Sequence, residues 1–363
     1  MGGRPLSGLV GALARLLPLI ALVVMALTVL ATLAVAGDTL GYDFRAYYTA
    51  ASRVLNGLPL YDSSAAVAGP SGLFLYPPPF VLVILPFALL PVGTSSLVWI
   101  ALMVASFGLG TALLPVRRTV RWTIVLLAGL SMPFVYATKL GQVGGLLFLL
   151  FAVAWRWLDR PAVVGAVGAL GALVKVQPGL VLVWAAVTRQ WRAVAVGAGV
   201  LLGAGVVAAL VLGPGTWVDF LTLLMRVNDP ITTPHNFTPG AVAYQAGVGH
   251  DAAAAIQWIS TAGAVLIALA ASLRLPRVVS YLVVVVVSQL VSPIAWDHYA
   301  MLLLLPVAWL LDRGRWWAVA IPLLTSIPMV GIVPGAVYPL SYWLTLAALM
   351  LVGMREPRMP NPA

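Results

Sequence analysis

The sequence contains no cysteine, which excludes disulfides, thiolate metal sites and cysteine nucleophiles. Charge is also scarce, because Asp, Glu, Lys and Arg make up only 8% of the chain. A soluble domain carries about 25% charged residues, so this chain does not cover a water-facing surface. The HExxH, P-loop, GxSxG and dinucleotide-binding patterns are absent as well. These absences exclude most soluble enzyme classes.

Hydrophobic residues make up 62% of the chain, and the mean hydropathy is +1.04. Apolar runs of about twenty residues recur from end to end, each long enough to cross a hydrocarbon core of about 30 Å. The first run, Leu16–Ala36, is too long for a signal-peptide core and lacks a convincing cleavage site, so it is predicted to be retained. We find no internal repeat and no soluble domain. The sequence therefore predicts an all-α integral membrane protein with one membrane domain, 1–363.

The positions of the basic residues predict the topology. Fifteen of the twenty Lys and Arg fall on one side if the apolar segments cross the membrane in turn. The predicted crossings are Leu16–Ala36, Ser95–Leu114, Arg121–Thr138, Gln142–Leu158, Trp191–Gly213, Ala253–Leu275, Val278–Pro293, Trp296–Leu311, Trp316–Val330 and Ala336–Met354, with two short helices, Ala162–Val174 and Pro178–Val187. By the positive-inside rule this side is cytoplasmic, which gives about twelve crossings and places both termini inside. The net charge of +10 follows this pattern, so we expect no nucleic-acid partner.

Few basic residues fall on the outer side. They are Arg45, Arg53, Lys139, Lys175 and Arg226. Two long outer loops are predicted, at 37–79 and 214–251. The apolar segment Phe80–Leu90 is short and rich in proline, so we interpret it as a re-entrant or half-buried helix; a thirteenth crossing is the alternative.

The first outer loop contains a helical pattern from Asp43 to Asn56. Phe44, Tyr48, Ala51 and Leu55 share one stripe, which predicts an interfacial helix with its aromatic side chains in the lipid boundary. Asp43 lies at the start of this helix. From the local sequence a plain N-cap is favoured, and a carboxylate that acts as a general base on a hydroxyl is the alternative.

Two further outer turns carry polar residues between apolar stretches. Lys175 precedes Pro178, and an ionisable residue at such a break is a candidate for binding an anionic headgroup; a lysine that snorkels to the interface is the alternative. Gln142 follows Lys139 at a helix start, where it could hydrogen-bond a sugar or satisfy the helix end.

The densest polar cluster runs from Ser288 to Tyr299. Trp296 and Tyr299 suit interfacial anchors, but anchoring does not require Asp297 or His298. His298 could donate to a phosphate or act as an acid or base near neutral pH. The histidines of the second loop, His235 and His250, are interpreted as ordinary loop residues.

Taken in order, these segments resemble the bacterial polyprenyl-phosphate-dependent glycosyltransferases of the GT-C class, family 87. The resemblance extends from the first outer loop to about residue 306, and each motif is short. The matching residues are Asp43-Phe44 with Tyr47-Tyr48, Gly57 with Tyr61, Tyr76-Pro77-Pro78, Gly141-Gln142, Lys175 with Pro178, and Ser292-Pro293 with Trp296 and His298-Tyr299. It implies a GT-C-like helical bundle in a bacterial plasma membrane, with an extracytoplasmic active site. At 363 residues the chain is short for the family.

The resemblance also implies the chemistry. Family members transfer a sugar from a polyprenyl-phosphate sugar to a glycolipid or cell-wall glycan. Asp43 would be the base, with His298 holding donor or acceptor, which reverses the preference for a plain cap. The outer-side candidates for the donor phosphate are Arg45, Lys175 and His298, and those for the substrates are Tyr47, Tyr48, Tyr76, Gln142, Trp296 and Asp297. No metal or other cofactor is demanded, because the donor carries one phosphate and no ligand cluster is visible.

One carboxylate suffices for an inverting single displacement, whereas a retaining mechanism would need a second, for which Asp297 is the only obvious candidate. Mannose is the expected sugar and arabinofuranose the alternative. A transporter or flippase for lipid-linked sugars would share the helices and the broken segment at Lys175. It should also show an internal repeat, which this sequence lacks.

Overall fold

The computed structural model describes residues 5–62, 72–226, 229–327 and 335–356, with side chains from residue 15 onward apart from Arg226. These residues form helices and no β-strand, which confirms the all-α prediction. The α-helices are α1 Pro5–Val35, α2 Tyr42–Leu55, α3 Pro78–Ile84, α4 Val92–Leu113, α5 Arg118–Gly129, α6 Met132–Leu140, α7 Gly144–Arg156, α8 Pro161–Val174, α9 Leu180–Val187, α10 Trp191–Leu212, α11 Gly215–Arg226, α12 Pro239–Gln245, α13 His250–Arg274, α14 Arg277–Leu290, α15 Leu304–Asp312, α16 Ala320–Leu324 and α17 Val337–Gly353. The 3-10 helices are Gly37–Thr39, Leu85–Leu89, Gln177–Gly179, Tyr299–Leu303 and Trp316–Val319.

Four of these helices are long and apolar enough to cross a membrane alone. They are α1 from Arg15 onward, α4, α10 and α13. Helices α5 and α6 form a fifth if they are taken as one span bent by 67°. The shorter apolar helical segments in the described ranges, counted together with the 3-10 turns that adjoin them, have 10–17 residues, fewer than the roughly 20 that a full crossing needs. The chain is therefore a helical membrane protein, and the number of crossings stays a prediction.

Glycines allow the closest helix contacts in the bundle. Helix α7 packs against α4 at Gly145, where a Cβ would lie 2.0 Å from the Met103 carbonyl oxygen. Helix α8 packs against α10 at Gly165, where a Cβ would lie 2.1 Å from the Ala193 carbonyl oxygen. Small residues at such interfaces let the backbones approach, which is how helices associate in lipid. In the middle of the bundle, α14 is buried from Val279 to Leu290.

The predicted helix of the first outer loop forms as α2, but its apolar stripe does not face outward as predicted. Phe44 and Ala51 are fully buried within the protein, and Leu55 is 48% exposed. The stripe packs beneath α2 because Phe44 meets other aromatic side chains there, with its ring stacked 5.5 Å from that of Trp99. The interfacial interpretation is therefore wrong for the buried part of this stripe.

Other predicted segments also differ in extent. Phe80–Leu90 forms α3 and the short 3-10 helix after it, and Val81 and Ile84 are fully buried, as a half-buried helix requires. The segment predicted as Trp316–Val330 is helical over Trp316–Leu324, and 328–330 lie outside the described residues. The second outer loop contains two helices that the sequence interpretation missed, α11 and α12. Of the predicted cytoplasmic cations, Arg4 and Arg358 lie outside the described residues.

Candidate functional site

Two turns meet where α2 begins. The backbone N–H of Gly41 donates to the Lys139 carbonyl at 2.7 Å, and the Trp99 Nε1–H donates to the Gly141 carbonyl at 2.8 Å. Gly41 and Gly141 both have left-handed backbones, with φ of 71° and 66°, which glycine adopts without strain. The first bond joins the start of α2 to the end of α6, and the second joins α4 to the turn between α6 and α7. They bring Asp43 close to Gln142, although 98 residues separate the two in the chain.

Asp43 is not the N-cap of α2. Gly41 occupies that position, and Asp43 lies in the first turn with its carboxylate Oδ2 accepting a hydrogen bond from the Gln142 Nε2. The plain-cap interpretation is therefore wrong. The aspartate contacts the turn between α6 and α7 with its side chain, and it is half-buried.

Two tyrosines fix the orientation of the Gln142 side chain. Its Oε1 lies 3.3 Å from the Tyr47 hydroxyl and 3.2 Å from the Tyr76 hydroxyl, and it accepts a hydrogen bond from the hydroxyl that is not donating to the other. The two hydroxyls also hydrogen-bond each other. With its oxygen occupied in this way, the amide presents its nitrogen to Asp43. All three side chains, of Tyr47, Tyr76 and Gln142, are buried, so this network holds a fixed donor against a carboxylate.

Lys175 lies on the other side of this network, in extended backbone just after α8. Its Nζ donates to the Tyr299 hydroxyl at 3.0 Å and lies 4.1 Å from the centre of the Tyr299 ring. The Tyr76 ring is 5.9 Å away. The ammonium also interacts electrostatically with Asp43. A cation and a carboxylate thus occupy one site without a direct salt bridge between them.

His298 completes this group. Its side chain is only 4% exposed, and its ring lies 5.1 Å from that of Tyr299. Lys175 is near enough to interact with it electrostatically. Neither ring nitrogen has a hydrogen-bond partner among the described residues. A buried polar group without a partner is costly, which is typical of a side chain that meets a ligand.

The electrostatics of Asp43 suit a proton acceptor. Burial raises the pKa of its carboxyl above the ordinary value, while the Gln142 hydrogen bond and the Lys175 charge act in the opposite direction. A carboxylate with a raised pKa holds a proton more strongly than an exposed one. The Asp43 carboxyl must nevertheless be ionised before it can accept a proton from a hydroxyl.

The structure does not bring every predicted residue into this group. Arg45 lies two positions after Asp43, about 200° around α2, and its side chain has no hydrogen bond or ion pair with another described residue. Tyr48 donates to the Leu90 carbonyl at 2.9 Å and so ties α2 to the start of α4. Asp297 interacts electrostatically with His235 and Lys139 instead of with the Asp43 network.

Trp296 is also placed apart from the network. Its backbone carbonyl accepts a hydrogen bond from the Tyr338 hydroxyl at 2.9 Å, and its indole is half-buried. In the described part of the chain no three His, Asp or Glu side chains converge as metal ligands.

Three residues of the site were not predicted as site residues, although Gly141 and Tyr299 were among the residues that carry the family resemblance. Tyr299 contacts both Lys175 and His298, and its position next to His298 in the chain was the available signal. Trp99 and Gly141 join α4 to the turn between α6 and α7, and nothing in the local sequence around Trp99 indicates this contact. Aromatic residues are common throughout an apolar chain, so no pattern distinguishes those that support a site.

Taken together, the site offers a half-buried carboxylate, a cation and an unpartnered histidine beside one another. Such a set can accept a proton from a hydroxyl and neutralise an anionic leaving group.

Comparison with known proteins gives one family match and one curated relative. The model of Glycosyltransferase family 87 matches residues 74–293, a range that contains Tyr76, Gln142 and Lys175 but neither Asp43 nor His298. The polyprenol-phosphate-mannose-dependent alpha-(1-2)-phosphatidylinositol pentamannoside mannosyltransferase of Mycobacterium tuberculosis (strain CDC 1551 / Oshkosh) is 31% identical over 263 residues. That alignment covers 66% of this chain, and the chain spans 58% of the length of the relative. No solved structure matches.

Proposed function

Because the chain belongs to glycosyltransferase family 87, we propose that it transfers a hexose from a polyprenyl-phosphate sugar to a glycolipid or cell-envelope glycan. Mannose is the first choice of sugar, since the mycobacterial relative is a polyprenol-phosphate-mannose-dependent enzyme. Arabinofuranose is the second. The observation that supports this activity most directly is the electrostatic interaction of Asp43 with Lys175, which pairs a proton acceptor with a cation suited to a phosphate.

The proposed reaction is a single displacement. The acceptor hydroxyl oxygen attacks the anomeric carbon, and the bond from that carbon to the phosphate oxygen breaks. The hydroxyl proton goes to Asp43, and the electron pair leaves with the polyprenyl phosphate, whose charge Lys175 neutralises. Inversion at the anomeric carbon turns a β-linked donor into an α-linked product. No second carboxylate is needed.

The other predicted site residues have supporting roles in this proposal. His298 directs its free ring nitrogens at the donor phosphate or sugar, and Arg45 supplies a further positive charge where the lipid approaches. The proposed substrate contacts are Tyr47, Tyr48, Tyr76, Gln142, Trp296 and Asp297. Of these, Gln142 has its amide already engaged by Asp43 and two tyrosines, so its main task in the proposal is to hold the base.

The proposed setting is the plasma membrane of a bacterium. The chain forms one domain of about twelve crossings with both termini in the cytoplasm, and the loops 37–79 and 214–251 lie on the outer face together with the site. The lipid donor reaches the site sideways from the bilayer. Single cysteines test this topology, since the chain has none of its own. An impermeant maleimide should label Asp38→Cys in intact cells and should label Arg315→Cys only after lysis.

A transfer assay tests the proposed activity. The purified protein in lipid nanodiscs is given polyprenyl-phosphate mannose or polyprenyl-phosphate arabinose, with phosphatidylinositol mannosides as acceptors. Wild type should transfer mannose. Asp43→Asn should lower kcat by about 10²–10⁴-fold, the usual contribution of a general base. Lys175→Met should raise the KM for the donor about tenfold or more, because a hydrogen bond to a charged group contributes about 1.5–3 kcal/mol.

Asp38→Asn is the matched control, because it neutralises an exposed carboxylate in the same outer loop and should transfer mannose as wild type does. Undiminished transfer by Asp43→Asn would refute the base assignment. If neither donor turned over while the protein moved the labelled lipid across a vesicle membrane, the transporter would be the better description.

A further inference from the structure

The segment that carries His298 has no regular helix of its own. Residues 291–298 connect α14 to the 3-10 helix Tyr299–Leu303 through turns, bends and irregular backbone. Such a segment lacks the internal ladder of hydrogen bonds that fixes a helix, so its shape depends on partners elsewhere in the protein. Two side chains hydrogen-bond its backbone, Asn236 from the second outer loop and Tyr338 from α17, and Gln177 donates to the Ser292 side chain at 2.9 Å.

Asn236 holds the first half of this segment. Its Oδ1 accepts hydrogen bonds from the backbone N–H of Ala295 at 2.9 Å and of Thr238 at 3.0 Å. Its Nδ2 donates to the carbonyls of Pro293 at 3.1 Å and Pro230 at 2.8 Å. These bonds use both amide hydrogens and both lone pairs of the oxygen, so the hydrogen-bonding capacity of the side chain is filled. Asn236 is fully buried.

The backbone beside Asn236 strengthens the same attachment, because the Phe237 N–H donates to the Ala295 carbonyl at 2.8 Å. Tyr338 holds the second half. Its hydroxyl donates toward the Trp296 and Asp297 carbonyls at 2.9 and 3.1 Å and accepts from the Ala300 N–H at 3.0 Å. The backbone of the segment is thus held by hydrogen bonds on both sides of His298.

These hydrogen bonds to the segment matter for His298 because no hydrogen bond to its ring fixes the orientation of the imidazole. Both ring nitrogens are buried and have no hydrogen-bond partner among the described residues. In most ligand-binding histidines the second ring nitrogen bonds a carboxylate or carbonyl that sets the orientation of the ring. Here the direction of the imidazole follows from its backbone and from packing against Tyr299. A shift of the backbone therefore becomes a shift of the ring.

We propose that Asn236 is a positioning residue for His298, acting through the backbone of 293–295 so that the imidazole meets the donor beside Lys175. The proposal rests on the proposed glycosyl transfer for its role in catalysis. It gives the second outer loop a task in the reaction, although no residue of 229–245 belongs to the Asp43 network. A loop asparagine that merely stabilises its own turn is the alternative.

A double-mutant cycle separates these possibilities. The variants are Asn236→Ala, His298→Ala and the double variant, compared by kcat/KM for polyprenyl-phosphate mannose on folded protein of equal concentration. Asn236→Ala alone should lower kcat/KM about ten- to a hundredfold, the scale expected when a catalytic group is misplaced from a distance. In the His298→Ala background the same change should alter kcat/KM by about twofold or less. Multiplicative losses in the two backgrounds would overturn the positioning role.

Hydrogen exchange tests the structural half of the proposal without any turnover. The peptide that contains 293–299 should exchange faster in Asn236→Ala than in wild type, and peptides from α7 should not change. Asn56→Ala is the control, because the Asn56 amide bonds only its own helix end, at Ser52. Unchanged exchange at 293–299 would refute the attachment even if the enzyme is active.

A second variant guards against loss of folding. Asn236→Asp keeps the accepting oxygen for Ala295 and Thr238 but loses the donation to Pro293 and Pro230. Because one carboxylate oxygen would face the Pro293 and Pro230 carbonyls, it should increase exchange at 293–299 at least as much as alanine does, and exchange as slow as in wild type would contradict the proposed bonds. If wild type transferred no sugar, the proposed function would fail, while the exchange result would still decide whether Asn236 holds the segment.

Discussion

Gln142→Met is the substitution that tests most sharply how the site controls its carboxylate. Methionine has nearly the volume of glutamine and suits a buried position, so it should leave the packing around Tyr47 and Tyr76 largely intact. It cannot donate to Asp43. The two tyrosine hydroxyls keep their hydrogen bond to each other and lose only the Gln142 oxygen. The main change is therefore the loss of one hydrogen bond to Asp43.

The size of the effect follows from that bond. A hydrogen bond to a charged group contributes about 1.5–3 kcal/mol, and one pKa unit corresponds to about 1.36 kcal/mol. The bond favours the ionised carboxylate, since it lowers the pKa of Asp43 against the larger effect of burial. Its loss should therefore raise the pKa of Asp43 by about one to two units.

The role of a base determines in which direction the raised pKa of Asp43 shifts the pH dependence of kcat/KM. In the proposed reaction Asp43 takes the proton of the acceptor hydroxyl only when it is ionised, so kcat/KM should fall as the pH drops through its pKa. In Gln142→Met this decline should begin about one to two units higher than in wild type. Above the raised pKa the variant should recover most of its activity. Asp43→Asn should not recover at any pH, which distinguishes a perturbed base from a missing one.

The measurement is kcat/KM for polyprenyl-phosphate mannose from about pH 5 to pH 9, which reports the pKa values of the free enzyme. Gln190→Met is the control, because it removes a glutamine that bonds Arg277 on the predicted cytoplasmic side. It should leave the acid limb of the profile where it is in wild type. An unmoved or lowered acid limb in Gln142→Met would refute the reasoning.

Two further outcomes are expected. Gly141→Ala should lower the midpoint of thermal unfolding, because φ at this position is 66° and a Cβ would lie 2.9 Å from a side chain of α2. A left-handed alanine costs about 1–3 kcal/mol. Gly108→Ala is the control in the same thermal unfolding series, and its midpoint should not fall, because the space around Gly108 is open. The hydrogen bonds that the His250 ring donates to the carboxylates of Asp251 and Asp229 raise the pKa of this exposed histidine, so its NMR titration midpoint should lie above about 6.5 and should fall in Asp229→Asn. The stability that this pair gives to the second outer loop is complete below the unfolded pKa of His250 and is lost as the pH rises through the raised one.

Much of the fold could be predicted because lipid imposes simple rules on a sequence. Apolar runs predicted the helices, and several bounds agree closely: Trp191–Gly213 is α10, Trp191–Leu212, and Ala162–Val174 is α8, Pro161–Val174. The break before Pro178 was also predicted. Proline lacks an N–H and disfavours helical backbone in the residue before it, so such breaks are visible in the sequence itself. Helices α11 and α12 were missed because their loop is less apolar than the predicted crossings.

The sequence predicted which residues belong to the site but not which of them contact one another. Asp43, Lys175 and His298 were selected because polar residues are rare in an apolar chain and therefore informative. Their contacts were not predictable. Gln142 was interpreted as a weak substrate contact, and its bond to Asp43 depends on how two glycine turns bring α2 against the turn before α7.

By itself the sequence determined that this is an all-helical membrane chain of glycosyltransferase type, since hydropathy, charge and short ordered motifs are properties of residues taken in order. Only the tertiary structure decided which polar groups meet. It joined Asp43 to Gln142, set Lys175 against Tyr299, and left Arg45 and Tyr48 apart. The physical reason is that such contacts are made across long separations by packed backbones, and residue order does not encode their distances.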